Sequence, residues 1–248
     1  MEVKPNKIAI MCMDARMNSI ADSMNDGRTI FVRTAAANPP GVINTLNYLM
    51  EKNSISSIFY MPHNDCGACK FTHAIMSKGE GSTQEIEKGL ISTIRSYSKN
   101  NYSNICSSPD DLSIKLQELG TNFIQHHYPG IALSSRMADT SYPVTGEKRM
   151  VLSRPSSMKY SEMFTQLDLP YGSTYVSQHT NLIEALCDIQ LSSSALHITN
   201  FTVAVIDDFE RRKIEDEVDV IKDALKHIPQ IEISIAEVNT IAEKEKIH

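Results

Sequence analysis

The amino-acid sequence predicts an α/β fold: a mainly parallel central sheet flanked by helices, with a C-terminal αβ extension. Three observations carry that prediction. Ile8, Ala9, Ile10, Met11, Cys12 and Met13 form an apolar run without helical spacing, as a buried strand does. A second strand, a helix and a third strand then follow within residues 29–61, and so short a β-α-β unit implies parallel pairing through a right-handed crossover. A strand, an amphipathic helix and an alternating strand within residues 201–235 make a second crossover unit.

Each element has its own local reason. Residues 7–13 are the first strand. Asp26-Gly27-Arg28 is a turn into the second, residues 29–33, whose β-branched and aromatic side chains suit a pleated surface. Asn38-Pro39-Pro40-Gly41 breaks the chain, and Val42, Leu46, Leu49 and Met50 then recur near a 3.6-residue period until Asn53-Ser54. The third strand, residues 55–61, runs straight into Pro62-His63-Asn64-Asp65-Cys66-Gly67-Ala68-Cys69. Helices are expected over 69–78 and 83–98, the latter with Ile86, Leu90, Ile94 and Tyr97 on one stripe. Ser107-Ser108-Pro109-Asp110-Asp111 opens a short helix reaching Leu119, its acidic pair at the positive end. Residues 122–153 read as strand-like and irregular, His126-His127 included. Arg154-Pro155-Ser156-Ser157 is the best boundary, giving a metal domain over 1–154 and the αβ extension over 155–248. Within the extension, residues 176–191 read as helix and 201–206 as a strand ending at Asp207-Asp208, a helix cap. Ile214, Val218, Ile221 and Leu225 line that last helix, and Ile231, Ile233 and Ile235 alternate along a half-buried closing strand. No internal repeat is visible in the sequence.

Composition narrows the function. The chain has 248 residues, enough to bury a sizeable core, and its 24 Lys+Arg against 30 Asp+Glu leave a formal charge of -6. A nucleic-acid partner, which needs a basic face, is therefore not expected. Neither is a membrane, because no twenty-residue apolar span exists. The opening residues lack the form of a signal peptide, and five cysteines, an odd number, suit a reducing compartment, so the expected location is cytoplasmic.

The chemistry gathers at two places. Cys12 at the end of the first strand and His63 and Cys66 after the third are ligand types zinc prefers, and two thiolates with one imidazole leave a position open. Two thiolates cancel the charge of Zn²⁺, so such a site acidifies water less than three histidines do. Asp14 and Arg16 stand two and four residues past Cys12, and in an extended segment all three side chains share one side. A carboxylate there can accept a hydrogen bond and relay a proton, and a guanidinium can hold it in a bidentate pair. Cys66-Gly67-Ala68-Cys69 leaves two alternatives open, a closed Cys₃His structural site with Cys69 as fourth ligand and a redox pair. Cys106 and Cys187 read as core thiols, His73, His179 and His197 as isolated histidines, and Asp207-Asp208 with Glu210 as a solvated helix start.

Cys12-Met13-Asp14-Ala15-Arg16 followed by His63-Asn64-Asp65-Cys66-Gly67 resembles the paired Cys-x-Asp-x-Arg and His-x-x-Cys-Gly motifs of the β-class carbonic anhydrases. The similarity extends through Phe31-Val32-Arg33-Thr34-Ala35-Ala36 and the helix around Leu46, covering roughly residues 7 to 78, and more weakly to a sheet-closing hairpin at 142–150. The sequence departs from the family pattern at Pro62 and in Thr34-Ala35-Ala36, where a glycine is usual. By resemblance, Cys12, His63 and Cys66 bind one zinc ion per chain, and Asp14 paired with Arg16 is the catalytic gate. The implied reaction is reversible hydration of carbon dioxide to bicarbonate by a zinc-bound hydroxide, in a homodimer or a multiple of dimers with active sites near the subunit interface. Hydrolysis of carbonyl sulfide or carbon disulfide at the same site, and a non-catalytic zinc-stabilised binding module, are the alternative expectations.

Overall fold

The computed structural model describes residues 4–78, 84–98, 107–228 and 231–239. Among the described residues, eight strands, all paired in parallel, form two four-stranded sheets flanked by helices. In the first sheet β1 (Lys7–Cys12) lies between β2 (Thr29–Thr34) and β3 (Ser57–Met61), and β4 (Ala132–Ser135) pairs with β3. In the second, β5 (Arg149–Ser153) lies between β6 (Thr174–Gln178) and β7 (Asn200–Val205), and β8 (Glu232–Glu237) pairs with β7. Each sheet therefore has the spatial order second, first, third, fourth.

The crossovers are helical, as parallel pairing demands. The first sheet is connected by α1 (Asn18–Met24), by α2 (Ile43–Lys52), and by a long excursion of α3 (Gly67–Lys78), α4 (Gln84–Ile86), α5 (Ser92–Ser98) and α6 (Pro109–His127). The second is connected by α7 (Tyr160–Leu167), α8 (Leu186–Leu196) and α9 (Asp208–Ala224). Ile8 to Cys12 and all of β2 are buried, so both faces of this part of the sheet are covered. In α9 the expected stripe of Ile214, Val218 and Ile221 is buried, and Asp207 caps the helix by accepting the Glu210 N–H at 2.7 Å. One hydrophobic core runs through both sheets.

Three expectations need correction. The helix expected to stop at Leu119 runs from Pro109 to His127, placing His126 and His127 in its last turn. Gly120 does not break it; a Cβ there would collide with the Tyr60 ring, whose hydroxyl donates to the Leu116 carbonyl at 3.1 Å. Residues 174–178 are a wholly buried strand rather than the start of a helix, and helical structure begins only after Asn181, whose side chain accepts the Ile183 N–H. Tyr175 and Val176 are strong strand formers, and burial on both faces erased the alternation that would have marked them. Residues 142–150 form no hairpin; Arg149–Ser153 is instead the inner strand between β6 and β7. Cys106 and the Tyr97 side chain lie outside the described residues.

The sheets meet along β2 and β6 through reciprocal contacts. Val176 N–H on β6 donates to the Met13 carbonyl just past β1, and Phe31 N–H on β2 donates to the Ser156 carbonyl past β5, each at 3.0 Å. Asp188, buried on α8, fastens the seam. Its Oδ1 accepts the Ala35 N–H at 2.9 Å and the Thr34 hydroxyl at 3.1 Å, while its Oδ2 accepts the Ser177 hydroxyl at 2.7 Å and lies 3.0 Å from His179 Nε2. Among the described residues, no helix is long and apolar enough to cross a membrane.

Candidate metal centre

Ligands of open parallel sheets gather at the carboxyl ends of strands where the strand order reverses. In the first sheet that point lies between β1 and β3, paired as far as Met11 and Met61. Cys12 ends β1 and His63 follows β3 by two residues, so register alone brings them side by side. Asp65, at φ 53°, turns the chain between His63 and Cys66 in the left-handed region, which aspartate tolerates better than most side chains. Pro62 does not displace His63: its carbonyl accepts the Ala138 N–H at 2.9 Å, and Asn64 N–H donates to the Ala138 carbonyl at 3.1 Å.

The ligand atoms of Cys12, His63 and Cys66 all lie within 4.8 Å of one another, and all three residues are buried. The two sulfurs are 3.8 Å apart. His63 Nδ1 lies 2.7 Å from the Thr140 hydroxyl, which donates to the Asn64 carbonyl at 2.9 Å. An Nδ1–H donated to Thr140 leaves the Nε2 lone pair free, and Nε2 has no hydrogen-bond partner among the described residues. Burial raises the Cys12 thiol well above its usual pKa, with Cys66 adding to the rise. At Cys66 the hydrogen bond with Cys12 lowers the value, but the Cys69 thiol and burial outweigh it and the net direction is up. Burial opposes the charged form of His63, yet the neighbouring Cys12 sulfur more than compensates and its pKa lies above the ordinary value.

Two buried thiols and an orphaned imidazole nitrogen converging on one point fit a soft divalent metal. Such an ion deprotonates the thiols and takes the lone pair. Cys69 is not in the trio, although it is close enough to Cys66 to influence that thiol.

Asp14 and Arg16 reach this cluster by a turn, where sequence reasoning expected an extended segment. Asp14 is the N-cap of a 3₁₀ turn over Ala15–Met17 and accepts the Arg16 N–H at 3.0 Å. The turn folds the guanidinium back, so that Arg16 Nε donates to Asp14 Oδ1 at 2.9 Å and Nη2 to Oδ2 at 2.8 Å. Arg16 also donates from Nη1 to Asp65 Oδ2 and the Thr140 carbonyl, both at 2.7 Å, and from Nη2 to the Asp65 carbonyl at 2.9 Å. Asp65 pairs in addition with Lys70. Asp14 is 5% exposed and its Oδ2 lies 3.9 Å from His63 Nε2. Burial pushes its pKa up, but the Arg16 hydrogen bonds and the His63 charge prevail and hold it below the usual carboxylate range. The same bonds hold the Arg16 pKa above its ordinary value.

Three supporting residues went unnoticed in the sequence. Arg33, fully buried on β2, donates from Nε to the Cys12 carbonyl at 2.6 Å and from Nη2 to the Asp14 carbonyl at 2.8 Å, with its guanidinium 4.9 Å from the Tyr160 ring centre. A charged residue inside an otherwise apolar strand was the available signal. Thr140 comes from 77 residues beyond His63 and had no local signal. Tyr175 brings the second sheet to the site; burial raises its hydroxyl pKa, with Asp14 adding to the rise. The missing glycine is answered by the backbone: Ala36 and Ala37 adopt φ 55° and 53° under Asp188.

No family model matches the chain, and no curated protein sequence matches it. Among solved structures it is similar to a carbonic anhydrase from Glaciozyma antarctica, at 16% identity and a TM-score of 0.37 over 54% of this chain and 78% of that one. It is also similar to the β-carbonic anhydrase CcaA, at 20% identity and a TM-score of 0.40 over 54% and 69%. At these scores the likeness is partial and says nothing of what this chain binds or turns over.

Proposed function

We propose that the chain is a zinc-dependent carbonic anhydrase that holds its metal through Cys12, His63 and Cys66. The observation that carries this reading is the unpartnered Nε2 of buried His63 facing two buried thiols beside a carboxylate locked by Arg16. Zinc supplies a Lewis acid that ionises water near neutral pH, the chemistry that carbon dioxide hydration requires.

The chain's own residues divide the remaining work. Thr140 fixes the His63 tautomer, and Arg33 holds the carbonyls of Cys12 and Asp14 so that ligand and carboxylate keep one spacing. Both Asp14 oxygens receive donors from Arg16, so Asp14 stays ionised and oriented as an acceptor for a proton on the reacting oxygen. Met13, next to Cys12, and Tyr175, which Asp14 and Cys12 influence electrostatically, are buried, so bulk water is limited around the trio. A closed Cys₃His site would leave the Asp14–Arg16 pair without a role, and Cys69 stands outside the trio.

Stopped-flow carbon dioxide hydration by the zinc-loaded protein, with Cys66→Ala as control, tests the reading. Turnover lost in the variant is expected. A zinc-loaded protein that hydrates no carbon dioxide would reject it, and rates on carbonyl sulfide and carbon disulfide would show whether either is the substrate.

A further inference from the structure

The two sheets meet in the manner of two copies of one unit. Each has the spatial order second, first, third, fourth, and the third residue of each second strand reaches across. Val176 on β6 donates its N–H to the Met13 carbonyl past β1, and Phe31 on β2 donates its N–H to the Ser156 carbonyl past β5. The ligand set is not repeated. Ser153 ends β5 where Cys12 ends β1, and Asp207 follows β7 by two residues as His63 follows β3. One sheet thus carries the ligands, and the other is left to complete their surroundings.

We infer that the second sheet completes the metal centre through Tyr175, whose hydroxyl donates a hydrogen bond to an oxygen of the bicarbonate bound there. The inference rests on the carbonic anhydrase reading above. Both neighbours of Tyr175 are tied to the segment that carries Asp14 and Arg16: the Thr174 carbonyl accepts from Asn18 Nδ2 at 2.8 Å, and Val176 N–H bonds the Met13 carbonyl at 3.0 Å. The backbone of β6 is therefore strapped against residues 13–18. Asp14, Arg16, Cys12 and Cys66 all act electrostatically on the Tyr175 hydroxyl, and burial with the anionic members of that set keeps it protonated, a neutral donor.

That donor is free. Among the described residues the Tyr175 hydroxyl has no hydrogen-bond partner, yet it is not sealed as His63 Nε2 is. Other tyrosines of the seam are bonded: Tyr160 donates to Gln178 Oε1 at 2.8 Å, Tyr171 to Asp22 Oδ2 at 3.1 Å and Tyr142 to the Arg16 carbonyl at 2.9 Å. A largely buried tyrosine ordinarily finds an acceptor, and a ligand oxygen supplies the one missing here. The equivalent second residue of β2 is Ile30, which has no hydroxyl, as suits a side of the seam without metal ligands.

The test is a titration of the cobalt-substituted full chain with bicarbonate, read from the cobalt absorption bands, beside stopped-flow hydration by the zinc-loaded protein. Tyr175→Phe removes only an unpartnered hydroxyl. Metal content and melting temperature are expected to match the parent, while bicarbonate binds about three- to tenfold more weakly. Tyr171→Phe, which loses a hydroxyl already bonded to Asp22, is expected to melt earlier and to bind bicarbonate like the parent. Equal bicarbonate affinity in Tyr175→Phe, the same loss in both variants, or a parent spectrum indifferent to bicarbonate would overturn the inference. Normal hydration with unchanged affinity in Tyr175→Phe would refute it and leave the proposed function standing. Bicarbonate binding weakened by Tyr175→Phe in a protein that hydrates no carbon dioxide would refute the proposed function and keep Tyr175 in the site.

Discussion

The two reversal points of the molecule share a topology and differ in everything they display. Between β1 and β3 stand two thiols, an imidazole and an ion pair whose members are 5% and 8% exposed. Between β5 and β7 stand a serine hydroxyl, an arginine partly open to solvent and an apolar wall. Parallel strand order dictates where a crevice forms, and the few residues that end the strands dictate its chemistry. A metal centre needs side chains that converge without other partners, whereas Arg154 at the second point is already paired with Glu210 and Glu217.

The largest expected effect separates metal holding from catalysis at the first point. Asp14→Asn keeps the shape but loses the anionic acceptor, so carbon dioxide hydration should fall by about 10²–10⁴-fold, with zinc content by mass spectrometry unchanged. Loss of zinc together with activity would mean that Asp14 shapes the ligand cluster instead. The two arginines offer the next contrast. Arg16→Met leaves the buried Asp14 carboxylate unpaired and should cost roughly 3–5 kcal/mol in urea unfolding. Arg154→Met, at longer ionic distances and with a side chain 28% exposed, should cost about 1 kcal/mol or less. Equal losses would erase the distinction between a locked pair and a loosely held one.

A smaller effect concerns the seam. His179 is buried against Asp188 and Glu184; burial lowers its pKa, but these carboxylates outweigh it and raise it from 6.5 to about 9. A raised folded pKa stabilises the fold fully below pH 6.5, and the contribution disappears as pH rises through 9. Melting temperature should therefore decline across that window, by up to about 3 kcal/mol of stability, and His179→Gln should flatten the decline. An unchanged slope in the variant would remove the charged seam from the account. The smallest effect is local. Ala36 holds a left-handed φ of 55° that glycine adopts freely, so Ala36→Gly should stabilise by about 0.5–1 kcal/mol in thermal melts.

How much of this could be read in the residues differs between the two halves. The first three strands, their parallel pairing and the trio Cys12, His63 and Cys66 were legible because apolar runs end directly on chemically distinctive residues. The crevice between β5 and β7 is not legible, since Ser153 closes a stretch that reads as strand-like and Arg154 opens one that reads as a boundary. Val176, Ser177 and Gln178 of β6 read as the start of a helix because residues buried on both faces lose their two-residue period. The equivalence of the sheets left no trace in the sequence: strand order is kept by pairing and crossover handedness, which many sequences satisfy. The reach of Thr140 to His63 depends on a contact 77 residues apart that no local pattern encodes, whereas the turn that folds Arg16 onto Asp14 is local, an Asp N-cap two residues before the arginine.

The central claim, that the first reversal point is a metal centre with two thiolates, one imidazole and an open position, is tested most directly by the absorption spectrum of the cobalt-substituted protein. The account predicts tetrahedral cobalt with thiolate charge-transfer bands that persist in Cys69→Ala, vanish in Cys12→Ala, and shift when a small anion such as azide is added. A spectrum that ignores the anion and collapses in Cys69→Ala would show a closed three-cysteine site and contradict it.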